Sequence, residues 1–369
     1  MRISTVELFI IQMPLKSPFQ THLGSVHERE SIIVKVTNKE GISGFGEGVA
    51  FSSPWYTEET VATCLHMLQD FLIPLLQKHP IQNPDEASVL FNKSLRRNNM
   101  AKAALEMALW DLYAKTQSQP LSKMLGGTRT RIPSGVVVAT DSTAKALRQI
   151  EQYLQEGYQR IKVKINPNQD YSFLADIRRH YPDLPIMADA NSAYSLKDID
   201  RLKALDEWNL LMIEQPLAHD DLIEHAILQK EIKTPICLDE SIVSFEDARK
   251  AIEFGSCKVI NIKAGRVGGL SEAKRIHDYC FDRGIPVWCG GMIEFGISRA
   301  HNIALASLPG FTIPGDISAS SRFWDEDIIS PEVTVHNGEI AVPEYPGIGY
   351  RINEKRLQET SILQKLFPF

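Results

Sequence analysis

Residues 1–50 alternate apolar and polar positions in RISTVELFII, ESIIVKVTN and GISGFGEG around turn-rich connections, the pattern of half-buried antiparallel strands. A small β-meander is expected. From Tyr56 to about Lys115 the period becomes helical, most clearly in MAKAALEMALWDLYAK, where Ala101, Leu105, Ala108, Leu109 and Leu112 share one face. Together these predict an α+β lobe over residues 1–126, ending at the Gly- and Pro-containing LGGTRTRIP. Within it LKSPFQTHLGSVHERES, about residues 15–30, is long enough to close over a neighbouring site as a lid.

Beyond that boundary, short β-rich runs ending in polar residues each precede a helix-length segment. The runs are SGVVVAT, RIKVKI, IMADANS, LLMIEQP, ICLDES, KVINIKA, PVWCGGM and FTIPGDI. Eight such units predict an α/β fold over residues 127–318, a (β/α)8 TIM-type barrel with its active site at the C-terminal ends of the strands. The earlier lobe would cap it. Residues 319–369 contain the hairpin-like PEVTVHNGEIAVPEYPGIGYRI, expected to return to the capping lobe.

A chain of 369 residues exceeds what one hydrophobic core usually holds, which agrees with two lobes. Its net charge of −6 is spread over interspersed acids and bases, leaving no footprint for nucleic acid or an anionic membrane. A small-molecule partner is expected, and a homo-oligomer stays open. Five cysteines without a CxxC spacing point to a reducing compartment. No leader-like apolar region or membrane-length apolar run occurs, so the expected location is cytoplasmic.

Chemistry enters with a ladder. Lys164, Asp189, Glu214, Asp239 and Lys263 stand 25, 25, 25 and 24 residues apart, each at or near the end of one of five consecutive runs. Adjacent barrel strands would bring them together. Three converging carboxylates make a hard-oxygen site suited to Mg2+, with Mn2+ able to substitute, and poor for zinc. Acids at strand ends also cap helices, a bland reading that three matched spacings outweigh.

In RIKVKI, alternation places Arg160, Lys162 and Lys164 on one face and Ile161, Val163 and Ile165 on the other. The apolar face meets helices, so the lysines point inward. Burying a lysine there is costly unless it is paired or its pKa falls, and that fall is what a general base needs; a solvated basic strand end is the alternative. Lys263, across the barrel, would put a substrate between two amines. A substrate carboxylate on the metal has a more acidic α-C–H, because the cation stabilises the charge left behind.

At these residues the sequence resembles the o-succinylbenzoate synthase / N-acylamino acid racemase family, in the muconate-lactonizing-enzyme subgroup of the enolase superfamily. The matching segments span nearly the whole chain: FSSPWYTEET, MAKAALEMALWDLYAK, the K-x-K of RIKVKI, ADANSAY, IEQPL, CLDES, NIKAGRVGGL, VWCGGM, RAHNIALASLP and PGDISASSRFWDEDI. The resemblance implies metal ligands at Asp189, Glu214 and Asp239, acid/base lysines at Lys164 and Lys263, and Lys162 polarising the metal-bound carboxylate. A lysine base with one or two Mg2+ ions is the known solution of enolase-superfamily sites. The sequence departs from the family at NIKAGR, usually NIKPGR, and at GGMIEFG, usually GGMLETG. Phe295 therefore either narrows the substrate pocket or packs outward.

Other residues carry paired readings. Asn191 and Glu240 either orient the ligands beside them or serve as turn and capping residues. Gly290, Gly291 and Met292 either present N–H groups to a second substrate carboxylate or make a tight turn. Arg266 either depresses the Lys263 pKa or contacts solvent or an acid. His22, His27 and Arg29 fall in the lid segment, with His22 a candidate substrate contact. Asp316 reads as structural, and Trp55 and Tyr56 as lining the lobe interface.

The leading activity implied is Mg-dependent dehydration of 2-succinyl-6-hydroxy-2,4-cyclohexadiene-1-carboxylate to 2-succinylbenzoate, in menaquinone biosynthesis. Racemisation of N-acylamino acids, alone or as a second activity, is the alternative. A mandelate-type site would need a histidine where this chain reads WCGGMIE, and dipeptide epimerases present D-x-D where it reads GDIS. A non-catalytic metal-binding barrel would have no use for two inward lysines.

Overall fold

The computed structural model describes residues 1–21, 24–140 and 142–369. Strands β1 (Ile3–Thr21), β2 (Gly24–Asn38) and β3 (Ser43–Gly48) form an antiparallel meander. Half-burial is not what the structure shows. Val6, Leu8, Ile32 and Val34 enter a core shared with the capping helices, while Phe9, Ile11, Met13 and Ile33 on the opposite face enter the core of the barrel. A sheet covered on both faces carries near-continuous apolar runs, and LFII is one. Helix α1 (Asn99–Thr116) is buried on nearly every side, not on one stripe, because it lies between sheet and barrel. Its alanines let β3 approach closely: a Cβ on Gly46 would stand 2.1 Å from the Ala104 carbonyl oxygen, and one on Gly44 2.2 Å from the Leu112 nitrogen.

The segment expected as a lid loop is paired instead. β1 and β2 resume their pairing from Phe19 opposite Val26 to Thr21 opposite Gly24, after a register shift between Pro14 and Phe19. Arg29 lies inside β2 and is only 1% exposed. His22 lies outside the described residues.

The second sheet is parallel and runs in strict sequence order: β4 (Val136–Val138), β5 (Ile161–Lys164), β6 (Ile186–Asp189), β7 (Ile213–Glu214), β8 (Ile236–Leu238), β9 (Val259–Ile262) and β10 (Val287–Cys289). The eighth run, FTIPGDI, is not a regular strand. Pro314 has no N–H to give a ladder, so closure rests on a few bonds: Gly135 N–H to Gly315 O at 2.7 Å and Asp316 N–H to Cys289 O at 2.9 Å. Glu339–Ala341 then pairs with Arg131–Pro133, and β11 (Ser361–Pro368) adds to the capping sheet beside β1.

Carboxylates from the cap terminate barrel helices. Glu106 of α1 accepts the N–H groups of Leu270 and Ser271 at the start of α2 (Leu270–Phe281), at 2.8 and 2.9 Å. Glu47 of β3 accepts those of Phe295 and Ser298 at the start of α3 (Gly296–Ala306), both at 2.9 Å. These satisfy donors that a helix N-terminus leaves unpaired.

Candidate active site

Parallel register places Lys164 opposite Asp189 and Asp189 opposite Glu214; Asp239 and Lys263 follow directly on β8 and β9. The five groups of the ladder stand side by side at one end of the sheet. Asp189, Glu214 and Asp239 are at most 2% exposed. Lys162 Nζ lies 3.1 Å from Glu214 and 3.4 Å from Asp189. Lys164 Nζ donates to Asp189 and to Asn191 Oδ1, both at 2.6 Å. On the far side Lys263 Nζ donates to Asp239 at 2.9 Å, and Arg266 is paired with the same carboxylate.

Charges set the ionisation. Burial disfavours the Asp189 carboxylate, yet the ammonium groups of Lys164 and Lys162 outweigh it and hold its pKa below the ordinary value. Glu214 moves upward, through burial and then repulsion from Asp189. Lys162 is held by pairing: burial lowers its pKa, but Asp316, Glu214 and Asp189 more than offset it, so the net shift is upward. Lys263 is likewise held above its ordinary value, with Tyr56, Glu240 and Glu214 outweighing burial. Arg266 contacts an acid: its guanidinium is taken by Asp239 and by the carbonyls of Ile242 and Asn261 at 2.7 and 2.6 Å.

Of the remaining candidates, Asn191 links the ladder laterally, accepting from Lys164 and donating to Glu240 Oε1 at 3.2 Å. Its φ of 41° is left-handed, a conformation asparagine tolerates. The GGM turn is tight for steric reasons: a Cβ on Gly290 would meet Lys263 Cε at 2.6 Å, and one on Gly291 the Asp316 carbonyl oxygen at 2.6 Å. Met292 does not offer its N–H to a substrate, since the Glu294 carboxylate accepts it. Phe295 is no pocket residue either; it has no exposed surface and stacks on Trp324, centroids 4.4 Å apart.

Three contacts were not anticipated. Tyr56 OH accepts from Lys263 at 2.8 Å and donates to Asp239 at 3.1 Å, bringing a group from the cap into the site. Asn261 donates to Glu214 Oε1 at 2.8 Å; strand alternation, two residues before Lys263, was the signal for it. Asp316 binds Lys162 at 2.5 Å and Arg160 at 2.8 Å. Two buried cations, Lys162 on β5 and Arg160 just before it, demand such a counter-charge.

The donor set suits a hard divalent cation. Three carboxylates lie on neighbouring strands, and Glu240 Oε2, buried beside them, has no hydrogen-bond partner among the described residues. Repulsion from Asp189 contributes to raising both Glu214 and Glu240, which added positive charge would relieve. Among the described residues no three acidic, histidine or cysteine side chains are closed to coordination distance; here the carboxylates are bound to ammonium and guanidinium groups.

Residues 4–126 match the family model for the mandelate racemase / muconate lactonizing enzyme N-terminal domain, and residues 145–356 the enolase C-terminal domain-like model. The chain belongs to the mandelate racemase / muconate lactonizing enzyme family of the enolase superfamily, whose members typically use a divalent metal. It is 58% identical over 358 residues to an o-succinylbenzoate synthase of Geobacillus stearothermophilus, covering 97% of this chain and 95% of that one. Identity to an o-succinylbenzoate synthase of Bacillus subtilis (strain 168) is 54% over 356 residues, 95% of each chain. An N-succinylamino acid racemase of Thermus thermophilus is 45% identical over 369 residues, 99% of each. The crystal structure of an enolase-superfamily protein from Listeria innocua superposes with a TM-score of 0.97 at 43% identity, covering 100% of this chain and 99% of that one.

Proposed function

We propose that this enzyme is an o-succinylbenzoate synthase that removes water from 2-succinyl-6-hydroxy-2,4-cyclohexadiene-1-carboxylate. The observation that carries the reading is the order of the sheet: the strands that lead to Lys164 and Lys263 flank the three that lead to Asp189, Glu214 and Asp239. A carboxylate substrate centred on the acids would meet an amine on each side. The relatives named o-succinylbenzoate synthase support the substrate.

Asp189, Glu214 and Asp239 would hold Mg2+, which supplies Lewis-acid stabilisation of charge on a substrate carboxylate. Lys162, with Nζ beside two of these acids, is placed to share that carboxylate. Lys164 takes the α-proton. The electron pair of that C–H becomes the ring double bond as the C–O bond breaks and hydroxide leaves, giving an aromatic product. Lys263 faces the opposite side and offsets the developing charge. A second activity uses the same groups: for an N-succinylamino acid, one lysine withdraws the α-proton and the other returns one to the opposite face. The 45% identical racemase supports this reading.

The division into a cap of residues 1–126, a barrel of 127–318 and a returning segment of 319–369 belongs to the same proposal, as does a cytoplasmic location. No helix among the described residues is long and apolar enough to cross a membrane, and all five cysteines are free and buried. Supplying the purified enzyme with each substrate tests the ranking. Turnover of the cyclohexadiene acid should exceed that of N-succinylamino acids; the reverse order would make the racemase the primary activity.

A further inference from the structure

Asp316 is embedded where the barrel closes. Its N–H is held by Cys289 O at 2.9 Å, and its carbonyl oxygen would stand 2.6 Å from a Cβ on Gly291. The carboxylate divides its two oxygens between a cation of β5 and one just before it: Oδ1 accepts from Arg160 at 2.8 Å, and Oδ2 stands 2.5 Å from Lys162 Nζ. Arg160 is fixed in turn by Pro314 O, with bonds of 3.1 and 2.5 Å. Lys162 Nζ is nearest to Asp316, then Glu214 at 3.1 Å and Asp189 at 3.4 Å. An ammonium has three protons to donate, and here the shortest contact is to the carboxylate outside the proposed ligand set.

We infer that Asp316 is a positioning residue that draws the Lys162 ammonium away from Asp189 and Glu214, leaving their oxygens free to bind a divalent cation. The inference rests on the metal site proposed above. Without the Asp316 charge, Lys162 and Arg160 stand as two buried cations, and the carboxylates open to Lys162 are the two ligands it already touches. Competition for those oxygens and added positive charge act in the same direction, toward weaker cation binding. Residues that orient ligands in this way typically contribute about 10- to 100-fold in metal affinity.

The test is Mn2+ titration of the EDTA-stripped full-length enzyme by calorimetry and electron paramagnetic resonance. Asp316→Asn should weaken Mn2+ binding by about 10- to 100-fold, and Asp316→Glu, which keeps the charge, should recover most of that loss. In a Lys162→Gln background, Asp316→Asn should change the affinity several-fold less than in the wild-type background, because the competitor is gone and only the lost charge still acts. Equal losses in both backgrounds, or none in the wild-type background, would overturn the inference. A wild-type enzyme that binds no Mn2+ would instead refute the underlying metal site. Should Asp316→Asn not fold, the Asp316→Glu pair in the two backgrounds decides: any loss must again shrink with Lys162→Gln.

Discussion

Each lysine of the ladder is defined by its partners. Lys164 has a side chain 36% exposed and Lys263 one only 10% exposed, Lys263 being covered by Tyr56, whose hydroxyl accepts its hydrogen bond. Tyr56→Phe removes a hydroxyl that bonds both Lys263 and Asp239. It should lower kcat by roughly 10-fold, the low end for a group that orients an acid/base residue, with a smaller change in KM, as steady-state kinetics would show. The ladder was legible because charged residues recur at matched positions in successive strands. Tyr56 was not legible as a site residue: it arrives from the cap, and no spacing along the chain encodes that approach. Phe295 departs from the family pattern, yet its role was decided by Trp324, a neighbour in space rather than in sequence.

At the scale of elements, the buried caps Glu47 and Glu106 tie the cap to the barrel. Burial raises each pKa from 4.5 to about 7 although hydrogen bonds from helix N–H groups oppose the shift. The folded state therefore binds these protons more tightly than the unfolded chain. Their contribution to stability is complete below pH 4.5 and declines as pH rises through about 7. Each represents about 3 kcal/mol by the usual conversion of pKa shift to free energy. Glu106→Gln should remove its share, so the fall in unfolding free energy between pH 5 and pH 8 becomes shallower than in the wild type in urea denaturation; parallel curves would show that Glu106 does not titrate in that range. The sequence pattern revealed the strands of the meander but not their double burial, since an apolar run reads alike whether one core or two cover it. FTIPGDI was legible as the closing segment, although its proline and glycine leave it without a regular ladder.

At the scale of the whole molecule, β11 pairs with β1 and thereby joins the end of the chain to the sheet at its beginning. Removing residues 361–369 exposes the β1 edge and should lower the midpoint of thermal unfolding by several degrees, a loss that calorimetry would register; an unchanged midpoint would mean the strand adds no stability. The cap supplies Tyr56 to the site and Glu47 and Glu106 to the barrel helices, so neither lobe is complete without the other. The same arrangement gathers three acids between two amines, and the account's central claim is that Lys164 takes the α-proton. The most direct measurement is turnover of 2-succinyl-6-hydroxy-2,4-cyclohexadiene-1-carboxylate, followed by ultraviolet absorbance with saturating Mg2+, for the wild type and Lys164→Ala. The account predicts a loss of at least about 100-fold in Lys164→Ala, the lower range for removing a general base, with divalent-metal affinity kept within a few-fold. Retained turnover in that variant would contradict it.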